Sequence, residues 1–263
     1  KREKCFVWNV DKQVGHCCHC NATFSAHMSL KSRQPKDYVI PVWKNKTELS
    51  DEAVKWFEGR MISQATIRDM RIYSDREWMP QFGKEVKVIC FPYFIEGKLV
   101  NIKYRGPKKS FRMVKDAELT FYNFNCTSEA KDLIICEGEM DALSFIEAGF
   151  KNVVSVPNGA GATDLPYLDN YIDSLGHIER FYIATDFDDA GLKLRNELVR
   201  RLGSERCLIV TYKGRKDANE LLIAEGGLAI REVIKNAQEI PIQGYIHLSD
   251  RYDDIFAMYQ HGL

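Results

Sequence analysis

The sequence predicts an α/β protein: an α+β first half leading into a parallel sheet with helices on both faces, preceded by a partial zinc ribbon. Three observations predict it. From Leu133 onward, short apolar β-type runs alternate with amphipathic helical stretches, the pattern of strands buried on both faces and joined by crossover helices. From Val86 to Met113 the pattern is that of paired strands around a turn. The chain has 263 residues, 45% hydrophobic and 28% charged, enough for one large or two modest folded domains.

The elements follow in order. Cys5 to Val10 is β-like, a turn covers Asp11 to Gly15, and Cys17-x-x-Cys20 is one half of a zinc ribbon. A tetrahedral site needs four ligands, and only this pair is clear. Cys5, His16 and Cys18 are candidates to complete it; the alternative is a broken ribbon with free thiols. The eight cysteines are not a disulfide scaffold, because Cys90, Cys126, Cys136 and Cys207 are scattered in or beside apolar runs and read as buried thiols. The ribbon is assigned to 1–25 and a linker to 26–48, where few apolar positions occur and Pro35 and Pro41 limit any helix. Ser50 then caps a helix with acids in its first turn and apolar residues at Ala53, Val54 and Phe57; it should end at Gly59, and Ser63 should cap a second.

The runs Val86–Tyr93 and Leu99–Arg105 flank Glu96-Gly97-Lys98 and predict a hairpin. Around its second strand lie Lys98, Lys103, Arg105, Lys108, Lys109, Arg112 and Lys115, with no acid between Gly97 and Lys115. Such a run can be simply a solvated face. Here Lys103 and Arg105 share one strand face and Phe111 stands beside Arg112, a combination suited to phosphates with a base nearby.

In the second half, strands are expected at Leu133–Cys136, Val153–Val156, Phe181–Thr185 and Cys207–Tyr212, with helices near Met140–Ala148, Ala190–Leu202 and after Tyr212. Ligands of such sheets collect at the carboxyl ends of the strands. Glu137 follows the first strand; Asp186 and Asp188 follow another, with i, i+2 spacing that aims both to one side. A single acid at a strand–helix junction is most often an N-cap. Three ordered acidic clusters converging on one sheet edge read instead as a site for hard cations, Mg²⁺ or Mn²⁺, with Asp141 supporting and Asp217 as a further ligand or a helix cap. Gly138 and Gly191 are expected to let backbone approach phosphate closely.

The order Glu137-Gly138-x-x-Asp141, Asp186-x-Asp188-x-x-Gly191, Lys216-Asp217-Ala218-Asn219-Glu220, with the Val156-Pro157-Asn158-Gly159-Ala160 turn, resembles the TOPRIM-domain DNA primases of the Twinkle and phage primase-helicase type. The runs G-x-L-V-N-x-K-Y-R and K-K-x-F-R resemble their basic motif, and Arg60-Met61-Ile62-Ser63 their entry segment. The resemblance implies an RNA polymerase subdomain at 49–125, a toprim domain at 126–240 and a linker helix at 241–263 towards a ring helicase. It also implies synthesis of short RNA primers from ribonucleoside triphosphates on single-stranded DNA by two-metal nucleotidyl transfer. Glu137, Asp186 and Asp188 would be catalytic metal ligands, with Asp141 and Asp217 as further ones. Lys103, Arg105, Lys108, Lys109, Arg112, Lys115, Asn158, Lys216 and Asn219 would contact nucleotide or nucleic acid. Zn²⁺ would bind Cys17 and Cys20 only if the ribbon were complete; by the resemblance its first pair would precede Lys1. Phe187, between the two aspartates, departs from the polar residues common in relatives.

TOPRIM modules also occur in topoisomerases, nucleases and recombination proteins. The half ribbon and the basic hairpin favour a primase; the retained rivals are a synthesis-inactive DNA-binding module and a toprim nuclease. Zero net charge argues against a whole-surface nucleic-acid binder and leaves room for a local basic patch. There is no P-loop, so helicase-type ATP hydrolysis is not expected of this chain. Ser249 should cap a helix like the connector before a ring helicase, or an ordinary C-terminal helix. No apolar run of about 18 residues occurs, so the expected setting is cytoplasmic, at a nucleoid or viral replication site, with the mitochondrial matrix less expected.

Overall fold

The structure, a computed structural model, describes residues 6–9, 14–17, 23–25, 37–42, 48–161 and 165–240, with 252, 256 and 257. It divides into Lys1–Tyr38 and Val39–Leu263. The first unit is a three-stranded antiparallel sheet of β1 (Phe6–Asn9), β2 (Val14–Cys17) and β3 (Thr23–Ser25) in sequential order. The zinc reading of Cys17 and Cys20 needs residues 18–20, which lie outside the described residues. So do most of the linker and of the helix expected after Ser249.

The second unit opens with α1 (Asp51–Glu58). The Ser50 hydroxyl accepts from the Ala53 N–H at 3.3 Å, Asp51 and Glu52 sit at the positive end, and the helix stops at Gly59 after burying Ala53 and Phe57. Ser63 caps α2 (Gln64–Asp69) in the same way. Four antiparallel strands follow, β4 (Tyr73–Met79), β5 (Lys84–Ile95), β6 (Lys98–Gly106) and β7 (Ser110–Met113), in sequential order. The expected hairpin is β5–β6. Its two-residue turn has Glu96 at φ +48° and Gly97 at φ +76°, the left-handed pair whose twist matches the flanking strands. The sheet is larger than the sequence suggests: β4 carries Asp75, Arg76 and Glu77 and buries only Tyr73 and Met79, so its period is masked at an edge.

The chain then alternates β8 (Asp132–Cys136), α3 (Glu139–Glu147), β9 (Val153–Ser155), α4 (Pro166–Tyr171), β10 (Arg180–Ala184), α5 (Asp189–Leu202), β11 (Cys207–Ile209), α6 (Ala218–Lys235) and β12 (Gln238–Glu239). The sheet order is β12-β11-β10-β8-β9, with β12 an antiparallel edge on an otherwise parallel sheet. This is the predicted α/β architecture, and the alternation of β8 shows why it forms. Ile134 and Cys136 face a core shared with α3, α6 and the antiparallel sheet, while Leu133 and Ile135 face a second core under α4 and α5. The first core also holds Phe57, Phe91 and Tyr93, so the antiparallel sheet and the parallel sheet pack into one body. Cys90, Cys136 and Cys207 are buried and Cys126 half-buried, all four as free thiols; burial pushes Cys126 and Cys207 up to about 12. Among the described residues no helix is long and apolar enough to cross a membrane.

Candidate metal centre

Each acidic side chain is delivered to the carboxyl edge of the parallel sheet by a strand end or a helix start. Glu137 follows β8, Asp141 lies in the first turn of α3, and Asp186 and Asp188 follow β10. Asp217 caps α6, accepting from the Glu220 N–H at 2.8 Å. Oxygens of Asp141, Asp186 and Asp217 lie within 4.8 Å of one another. The tightest cluster therefore includes two residues that the sequence placed in supporting roles. Glu137 adjoins it, with Oε1 accepting from the Ala160 N–H at 3.3 Å. Asp188 is more exposed than Asp186, at 44% against 14%: it caps α5 through the Gly191 N–H at 3.0 Å and pairs with the Lys216 ammonium at 3.2 Å, which also reaches Asp186 at 3.4 Å.

The electrostatics separate these acids. Burial first, then Glu137 and Asp217, pushes Asp186 up to about 7. Burial also raises Glu137, and it holds Asp141 well above the carboxylate range, with Asp217 and Asp186 adding to the effect. Asp188 is lowered by its hydrogen bond from Gly191 and by Lys216. The Glu137 Oε2 atom is buried with no hydrogen-bond partner, a costly state for a carboxylate oxygen. Crowded acids with raised affinity for protons and an unpartnered buried oxygen fit a hard divalent cation, which takes the place of the missing positive charge.

Stability should report this. A carboxyl that holds its proton more tightly when folded contributes stability that is full below its unfolded value and lost as pH rises through its folded value, here near 7 for Asp186. In EDTA the melting temperature should therefore fall between about pH 5 and pH 8. Saturating Mg²⁺ at about 100 times its Kd should add about 2.7 kcal/mol at the upper end, roughly 5–10 °C, and less at the lower end where protons compete. Differential scanning fluorimetry checks both; an equal Mg²⁺ increment at both pH values would detach the cation from these acids.

A cleft of about 520 Å³ joins the two sheets, lined by Lys103, Arg105, Phe111 and Arg112 on one side and by Glu137, Asp141, Asn158 and Asp186 on the other. Lys108 and Lys109 line a second groove of about 520 Å³ with Trp56, Arg60 and Lys87, and Arg105 borders both. Its guanidinium lies 4.7 Å from the Trp56 ring and 5.0 Å from Phe111, an aromatic–cation arrangement of which the sequence showed only the Phe111 part. Arg112 pairs with Glu77 at 3.1 Å and lies over Tyr104. Lys115 is exposed after β7, and Lys216 lies with Phe187 and Arg215 in a third hollow of about 340 Å³.

Two expected contact residues point inward instead. Asn219 is buried, its amide donating to the Arg60 carbonyl at 3.1 Å and the Ser144 hydroxyl at 3.0 Å, so it braces α6 against α3. Lys103 is buried against Glu139 and the Pro157 carbonyl. Gly191 also differs from expectation: a Cβ there would stand 2.2 Å from the Asp186 carbonyl oxygen, so the close approach is to the chain's own loop. Glu139 and Tyr93 were missed, because an acid in a helix's first turn and an aromatic in a strand carry no sign of what faces them.

Residues 134–222 match the Toprim-like family model. The chain is 36% identical over 230 residues to the Twinkle homolog protein, chloroplastic/mitochondrial, of Arabidopsis thaliana, covering 80% of this chain and 32% of that protein. It is 37% identical over 214 residues to a primase homolog protein of the same plant, covering 74% of this chain and 62% of that protein. The chain thus spans less than two thirds of either relative. The crystal structure of the primase fragment of the bacteriophage T7 primase-helicase protein shares the fold, with a TM-score of 0.60 at 20% identity over 84% of this chain and 90% of that one.

Proposed function

This chain is a Toprim-domain homologue of the Twinkle and primase proteins, and from that premise we propose that it is a DNA primase, joining ribonucleotides into short primers on single-stranded DNA. The observation that carries the reading is the one cleft in which Arg105 and Arg112 face Glu137, Asp141 and Asp186. Cations and carboxylates so placed suit a strand whose phosphates must reach a metal-binding edge. Asp141, Asp186 and Asp217 bring their oxygens together, and we assign one Mg²⁺ or Mn²⁺ ion to that cluster and a second to Glu137, Asp186 and Asp188. Such ions, when bound, lower the pKa of the attacking 3′-hydroxyl and neutralise the charge of the departing pyrophosphate. Around them, Lys216 is exposed and would exchange Asp188 for a triphosphate, while Asn158 borders the cleft at its exposed lip.

In this reading, 49–125 guides nucleic acid and 126–240 holds the ions, with Zn²⁺ at Cys17 and Cys20 only in a complete ribbon. A ring helicase is the proposed partner, and a replication site of a cell, organelle or phage the proposed setting. Incubating the chain with single-stranded DNA, labelled ribonucleotides and Mn²⁺ or Mg²⁺ tests it: labelled oligoribonucleotides are expected. DNA binding without synthesis would make it a relic module, and nicked DNA a nuclease. Replacing Arg105, Lys108 and Lys109 with Ala should weaken single-stranded DNA binding and flatten its salt dependence by about 0.7 per lost phosphate contact. An unchanged slope would remove this groove from the nucleic-acid path.

A further inference from the structure

We infer that Lys103 is a positioning residue for the metal centre, tying together the two backbone segments that carry Glu137 and Asp141, and is not a phosphate contact. The inference rests on the metal reading above. Lys103 lies on β6, between Phe91 of β5 and Met113 of β7, so its backbone is held in the middle of the antiparallel sheet. Its side chain is only 11% exposed. The ammonium donates to Glu139 Oε1 at 2.8 Å and to the Pro157 carbonyl at 2.8 Å.

Both acceptors lead to metal-site acids. Glu139 is the first residue of α3, and Asp141 stands two residues later in the same turn. Pro157 opens the turn whose Ala160 N–H holds Glu137. One charge from the antiparallel sheet thus fixes two loops of the parallel sheet relative to each other. Glu139 accepts a second hydrogen bond, from the buried Tyr93 hydroxyl at 2.5 Å, so the carboxylate is doubly held. Burial and the neighbouring Glu139 keep that phenol well above its ordinary value, and therefore a donor throughout the working pH range. A phosphate drawing the ammonium away would leave Glu139 buried without its counter-ion, a strongly unfavourable exchange. On the cleft side, where Lys103 and Phe111 both form part of the wall, the Phe111 ring lies 5.3 Å from the ammonium.

The test uses the whole chain and three variants, Lys103→Met, Glu139→Gln and the two combined. Mn²⁺ affinity is read by electron paramagnetic resonance and DNA affinity by its salt slope. Lys103→Met should weaken Mn²⁺ binding about 10- to 100-fold, the usual effect of losing a group that orients ligands, with the salt slope unchanged. The double variant removes the unpaired buried carboxylate and should melt closer to wild type than Lys103→Met, yet Mn²⁺ binding should stay weak because Pro157 has no donor. If Lys103→Met fails to fold, the double variant alone decides. Mn²⁺ binding within twofold of wild type in the double variant, or a salt slope reduced by about 0.7, would overturn it. Wild type that binds Mn²⁺ but makes no primer would sink the primase reading alone.

Discussion

Asp186→Asn should abolish primer synthesis and at the same time yield a protein that melts higher than wild type in EDTA. Asp186 lies in the Asp141–Asp217 cluster and within electrostatic reach of Glu137, so its loss removes an oxygen from the centre of the acidic edge. A drop on the order of 10²–10³-fold or more is expected, the scale found when a group acting directly on the developing charge is removed. Stability should move the other way, because the wild-type side chain is forced to ionise beside Glu137 and Asp217 in a partly buried place. The gain should be roughly 2–4 °C, the response to about 1 kcal/mol in a chain of this size, well below the full pKa shift because solvent screens part of the repulsion. The divalent-cation increment in melting temperature should vanish with it. Primer assays and fluorimetry on one preparation decide the matter. Synthesis that persists would take Asp186 out of the chemistry, and a lowered melting temperature would make it a structural residue.

Gly191→Ala should be strongly destabilising although it lies in a helix, where alanine is ordinarily better than glycine by about 1 kcal/mol. A methyl group there would meet the backbone of Asp186, with contacts of 2.2 Å to its carbonyl oxygen and 2.8 Å to its carbonyl carbon, neither of which can swing aside. Overpacking of this kind costs about 1–3 kcal/mol, and more where only backbone can yield. The same movement would displace Asp186 and break the hydrogen bond from the Gly191 N–H to Asp188. Gly227→Ala in α6 is the control, since its methyl group would touch only Ala148 at ordinary distances of 3.5 and 3.6 Å. Urea denaturation should show a lower midpoint for the first and an equal or higher one for the second. Equal midpoints would mean that the α5 loop yields freely and does not hold the acids.

Much of the fold was legible because its signals are local. The Ser50 and Ser63 caps, the stop at Gly59 and the Glu96-Gly97 turn each depend on a few adjacent residues, and the structure has them where the sequence put them. Strands β8, β9, β10 and β11 were legible because burial on both faces leaves an apolar run. Edge strands β4 and β12 were not, since one side of each faces water and charged or polar residues mask the period.

The candidate site divides along the same line. By itself the sequence determined that acids stand at strand ends and helix starts, because strand period and capping are properties of the chain's own neighbours. Only the tertiary structure decided that Asp141 and Asp217, 76 positions apart in the numbering, meet at Asp186 with their oxygens within 4.8 Å of one another. It also decided that Lys103 turns from solvent to Glu139, and that Asn219 spends its amide on Arg60 and Ser144. Local spacing sets which side of an element a residue faces; what stands opposite is set by how two sheets pack, and so no single segment records it.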